Sequence, residues 1–199
     1  DDMAVVVKIN MFDGMKNGIH EDEAILIAKE LEKLGVHALV LSAGFVSKAP
    51  MEVMRGAMPI KTMAYYMNMW KFWWLKLGLR IAGRIVVPTV PYKDAYFYET
   101  AMKFRENLSV PLIYVGGMVA KDDMEKVLNS GFVAFQMARA LINDTDFVNK
   151  LKNGELTKSP CKHSNYCIGR MYSEDMRCHH CVDEMPNRLK KEIEKLENQ

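Results

Sequence analysis

Two loops and one strand end carry residue types suited to holding an anionic ligand. One apolar run ends in Val115-Gly116-Gly117, and a later one ends in Gln136-Met137-Ala138-Arg139. Glycine lets backbone N–H groups approach phosphate oxygens closely. An arginine adds a charge-assisted contact that can be bidentate. A Gly-Gly pair after a strand is equally consistent with a plain tight turn, and spacing alone leaves both readings open. Lys8 stands near the end of the first apolar run. It is either an exposed strand-end lysine or a cation that stabilises negative charge on a ligand. Ser42-Ala43-Gly44 ends another run. These small residues offer a surface against which a flat ring could lie.

A second group lies in the tail. Cys161, Cys167, Cys178 and Cys181 all follow residue 160. No basic n-region or small-residue cleavage site marks a signal peptide. Clustered cysteines in that context read as metal or redox chemistry more than as disulfides. Four thiolates, or three with His163, His179 or His180, could hold Zn²⁺ tetrahedrally. Four reduced thiols in an irregular tail is the plain alternative.

These residues must be positioned by a regular alternation of elements. Met3 to Asn10 is a short apolar run with β-branched residues, and reads as a buried parallel strand. His20 to Leu34 follows with Ala24, Ile27, Ala28, Leu31 and Leu34 at helical spacing. Acidic residues fill its first turn, and Gly35 stops it. Ala38 to Ser42 reads as a strand, Asp94 to Asn107 as a helix, and Pro111 to Val115 as a strand. Lys121 to Leu128 reads as a helix, Phe132 to Gln136 as a strand, and Asp144 to Leu151 as a helix. Alternating strands and helices predict a mostly parallel sheet. Four such units fit half of an eight-fold barrel or a four-stranded open sheet.

About fifty residues, Gly44 to Lys93, interrupt that rhythm. They hold Tyr65, Tyr66, Trp70, Phe72, Trp73 and Trp74, interspersed with Lys71, Lys76, Arg80 and Arg84. The charges exclude a membrane span. A basic helix lying on a membrane surface is conceivable. A helical lid is preferred, because barrels carry their insertions in βα loops. Arg188 to Asn198 reads as a charged terminal helix that packs through Leu189, Ile193 and Leu196. The chain thus divides into residues 1–152, with a helical insert at about 45–93, and a cysteine-containing tail at 153–199. The net charge of +2 gives no case for nucleic acid as a partner. The 16 methionines suggest tolerant packing rather than a chemistry.

The segments Val7 to Asn10, Gly35 to Gly44, Pro111 to Gly117 and Gly131 to Asp144 together resemble the C-terminal half of the old yellow enzyme family. The resemblance is to the branch of bacterial NADH:flavin oxidoreductases related to 2,4-dienoyl-CoA and 2-enoate reductases. It implies an α/β fold of the (β/α)8 TIM-barrel type, with only the last four β/α units present. It implies an FMN-dependent oxidoreductase that draws electrons from NAD(P)H and reduces activated alkenes or related acceptors. Lys8 then corresponds to the cation at the N1/O2 edge of the flavin. Gly116 and Gly117 correspond to the phosphate-binding backbone. Ala138 and Arg139 correspond to a Gly-Arg pair after the last strand, with alanine departing from the usual glycine. Relatives with an iron–sulfur cluster use four cysteines in the tail region. Here Ser164 stands where the second would be, a poor ligand for a cluster that prefers thiolates.

The family's substrate-activating histidine pair, or His-Asn pair, and its tyrosine proton donor come from the first half of the barrel, which nothing in this chain matches. The resemblance therefore implies no catalytic residue here and a chain inactive by itself. It implies a missing N-terminal half, or a second copy, as partner and a cytoplasmic setting. A non-catalytic flavin- or phosphate-binding half barrel that homodimerises is the alternative.

Overall fold

The computed structural model describes residues 3–45, 52, 54–67, 73–172 and 174–198. Trp70, Lys71 and Phe72 of the insert lie outside the described residues. The chain forms two compact units. The first comprises Asp1–Val53, Lys93–Met137 and Leu151–Lys158, and the second Met54–Tyr92, Ala138–Lys150 and Ser159–Gln199.

The first unit is a four-stranded parallel sheet with helical crossovers. Its strands are β1 (Val6–Asn10), β2 (Ala38–Ser42), β3 (Leu112–Val115) and β4 (Ala134–Gln136), in the order β1-β2-β3-β4. Helices α1 (Glu21–Lys33), α4 (Tyr98–Asn107) and α5 (Lys121–Asn129) connect them. A doubly wound sheet reverses its strand order at a switch point. Here the order follows the chain without reversal, as consecutive units of a barrel would. The fold is mixed α/β, compatible with part of an α/β barrel.

β2 is buried along its whole length, and its side chains meet Leu112 and Tyr114 of β3 in register. The expectation of a buried first strand is corrected. Among the described residues β1 pairs with β2 alone and is a sheet edge, so Val6 is 50% exposed and Lys8 is open to solvent. The apolar sequence signalled strand propensity, but burial depends on a neighbour that a sequence pattern does not supply. α1 buries Ala24 and Ala28 but leaves Leu34 exposed at its end. Gly35, at φ +82°, closes the helix, with Gly35 N–H to the Glu32 carbonyl (3.0 Å) and Val36 N–H to the Leu31 carbonyl (3.3 Å).

In the second unit the aromatic insert and the cysteine tail fold together. The insert supplies α2 (Ile60–Tyr66) and α3 (Trp73–Val86). The rest is α6 (Arg139–Asn143), α8 (Tyr166–Arg170), a 3₁₀ turn (His179–Cys181) and α9 (Asn187–Glu197). A short helix α7 (Phe147–Lys152) leads from this unit back to the first. Tyr66, Tyr166, Met185, Leu189 and Ile193 form its apolar core. The Tyr66 and Tyr166 hydroxyls lie 2.8 Å apart, and Arg170 donates to Tyr66 at 3.1 Å. Glu192 of α9 caps α2 from outside the helix. Its carboxylate accepts the Lys61 and Thr62 N–H groups, each at 2.8 Å, and the Thr62 hydroxyl at 3.0 Å. Pro59, before α2, has no side-chain acceptor to do this. No helix among the described residues is long and apolar enough to cross a membrane.

Candidate functional site

In the first unit the C-terminal strand ends are tied together by a small polar network. Asn10 donates its side-chain amide to Asp13 Oδ1 (3.0 Å) and to the Gly44 carbonyl (3.1 Å). Asp13 Oδ2 accepts the Ile19 N–H at 3.0 Å. The Asn10 hydrogen bond, then the Ile19 N–H, hold the Asp13 carboxyl below its usual range. Met11 N–H to the Ser42 carbonyl and Gly44 N–H to the Phe12 carbonyl extend the β1–β2 pairing into both loops. Beside this network, Lys8, Ile9, Asn10, Asp13 and Ile19 line an open hollow of about 350 Å³.

The Gly116-Gly117 turn is shaped by close packing. Both residues have positive φ, +128° and +70°. A Cβ on Gly116 would lie 2.7 Å from Phe97 Cδ2, and one on Gly117 would lie 2.8 Å from the Ala95 nitrogen. The tight-turn reading therefore has a physical basis in this approach. Tyr114 Oη donates to the Gly116 carbonyl at 2.8 Å, and the Ala95 N–H donates to the Gly117 carbonyl at 3.1 Å. In a trans peptide the N–H points opposite to the C=O. The Gly117 and Met118 N–H groups are thus directed away from Tyr114 and Ala95, respectively. Tyr114 itself accepts the Phe97 N–H at 3.1 Å, and burial pushes its phenol far above the ordinary range.

Arg139 and Ala138 belong to the second unit. Ala138 precedes α6 and is exposed; Arg139 is the first helical residue and half-buried. Arg139 Nη1 donates to Asn165 Oδ1 at 2.7 Å and lies 3.5 Å from the Arg55 carbonyl. Its guanidinium sits 5.5 Å from the Tyr92 ring centre, and Tyr92 stacks on His163 at 3.5 Å. Asn165, in the left-handed region at φ +56°, is buried and donates to the carbonyls of Arg55 (2.9 Å) and Ala57 (3.2 Å). This asparagine escaped sequence reading. An Asn in a Cys- and His-rich stretch gives no sign that its amide will tie three segments together.

Arg139 also forms part of the wall of a cavity of about 20 Å³, lined by Cys161, Cys167, Cys178, His163, Ser164 and His179 among others. Cys181 lies apart, exposed, beside Arg170 and Arg177. The structure thus brings three of the four candidate cysteines to one cavity and leaves the fourth outside it. Burial pushes the Cys161 thiol up and the Cys167 thiol up to about 11, each opposed by the Arg139 charge. Both are protonated at neutral pH and are poor nucleophiles. An iron–sulfur cluster does not fit this donor set. Ser164 occupies the wall in place of a thiolate, and the cavity has room for about one water-sized guest.

No family model matches the chain. Over 172 residues it is 33% identical to a protein of Rhodococcus erythropolis named 4,4'-dithiodibutanoate disulfide reductase. The match covers 86% of this chain, which spans 42% of that relative's length. The sheet, the Gly-Gly turn and the cysteine tail therefore belong to a chain that is similar to part of a reductase.

Proposed function

We propose that this chain is the cofactor-holding part of an FMN-dependent oxidoreductase that passes electrons from NAD(P)H to a small organic disulfide. The observation that carries this reading is the similarity to a disulfide reductase along 86% of the chain. The resemblance to flavin-binding half barrels gives the same residues their roles. When bound, FMN would supply two-electron transfer, taking a disulfide and two protons to two thiols. The chain's contribution is to hold and tune that group. The Gly117 and Met118 N–H donors are suited to phosphate oxygens, and Ala138-Arg139 supplies a backbone N–H and a guanidinium of the kind that grips phosphate. The exposed Lys8 cation on β1 is suited to stabilising negative charge on a reduced isoalloxazine edge. Residues that polarise the acceptor would come from a barrel half outside this sequence or from a second copy.

The test is the visible absorption of FMN as the purified chain is added, repeated with Lys8→Ala and Arg139→Ala. A perturbed flavin band that weakens in both variants supports the reading. A flavin spectrum unchanged by excess chain would remove it.

A further inference from the structure

We propose that Cys178, His179 and His180 form a binding site for one divalent metal ion of the Zn²⁺ class. Cys178 is extended, and the 3₁₀ turn that follows, closed by Cys181 N–H to the Cys178 carbonyl (3.0 Å), folds three consecutive side chains together. One ligand atom from each residue lies within 4.8 Å of the other two. Cys178 Sγ and His179 Nδ1 are 3.8 Å apart. A tetrahedral ion with Zn–S of about 2.3 Å and Zn–N of about 2.0–2.1 Å separates sulfur and nitrogen by about 3.6 Å. An ion can therefore sit between them after a small adjustment.

The surroundings are those of ligands already oriented. His179 Nε2 lies 3.1 Å from Glu197 Oε1. His179 Nδ1 is the ring nitrogen that faces Cys178, and the Glu197 carboxylate lies on the Nε2 side. Asn143 Nδ2 donates to Cys178 Sγ at 3.2 Å. One thiolate with two imidazoles suits Zn²⁺ and Co²⁺, and His180 is exposed, so a fourth position faces water. This set differs from the four cysteines that sequence spacing suggested. It uses one of them, replaces the others with histidines that follow directly in the chain, and leaves Cys181 out. It is independent of the flavin reading.

The experiment uses the untagged chain, stripped with a chelator and titrated with Co²⁺. One equivalent should bind, with thiolate-to-cobalt charge-transfer absorption, and Zn²⁺ should displace it. Cys178→Ser should abolish the charge-transfer band. His180→Ala, at an exposed position, should weaken binding by more than roughly 10-fold. Cys181→Ser should change nothing. The proposal is overturned by the absence of stoichiometric binding, by a thiolate band that survives Cys178→Ser, or by affinity indifferent to His180→Ala.

Discussion

Removing the Glu192 carboxylate should unfasten the tail from the insert. Two backbone N–H groups of α2 and one hydroxyl converge on its oxygens at 2.8–3.0 Å, and the side chain is buried. Hydrogen bonds to a charged group contribute about 1.5–3 kcal/mol each, and a carboxylate at a helix N-terminus adds about 0.3–1 kcal/mol. The desolvation of the carboxylate offsets part of this. Glu192→Ala should therefore cost about 2–4 kcal/mol in the second unit. Glu192→Gln keeps one accepting oxygen and should lose about half as much. Urea unfolding followed by far-UV circular dichroism reads both values. The loss should also reach the thiol cavity, because α2 is joined through Tyr66 and Tyr166 to α8, which carries Cys167. Faster Cys167 alkylation in Glu192→Ala would show that path. A stability within about 0.5 kcal/mol of the parent would refute the capping argument, since surface charges removed without consequence fall in that range.

Three further outcomes follow from the same geometry. Gly117→Ala places a Cβ 2.8 Å from the Ala95 nitrogen at φ +70°, so thermal unfolding should show a loss of about 2–4 kcal/mol, strain and overpacking together; a neutral substitution would contradict the close approach. The Cys167 thiol titrates near 11 in the folded chain against an ordinary 9.0. The folded state keeps a proton that the unfolded chain releases, so this thiol's effect is a stability that declines as pH rises from about 9 to about 11. Unfolding midpoints across that window, compared with Cys167→Ala, check the sign. Arg139→Ala removes a charge that lowers both the Cys161 and Cys167 thiols, so alkylation of the pair at fixed pH should slow; an unchanged rate would detach the guanidinium from that cavity.

The elements of the first unit were largely legible because their signals are local. The helix of α1 announces itself by apolar spacing, an acidic first turn and a glycine stop. β2 announces itself by an unbroken apolar run. What escaped depended on distant partners. β1 has the sequence of a buried strand, yet it lies at a sheet edge. α6 carries no sequence signal, because five residues are too few to show a helical period. Glu192 sits in a highly charged helix, and a pattern cannot distinguish it from the solvated residues beside it; only the fold brings the unpaired N–H groups of α2 to it. The cysteines were visible as a group. Which of them face one another was not, because 3₁₀ and left-handed turns at Asn165 and His179–Cys181 decide it.

The proposed function depends most on a phosphate grip for a flavin. Comparing FMN with riboflavin, which lacks the phosphate, tests it directly by fluorescence titration of the purified chain. FMN should bind at least about tenfold more tightly, a difference of about 1.4 kcal/mol, and Arg139→Ala should erase most of that preference. Equal affinities for the two flavins, or no binding of either, would contradict it.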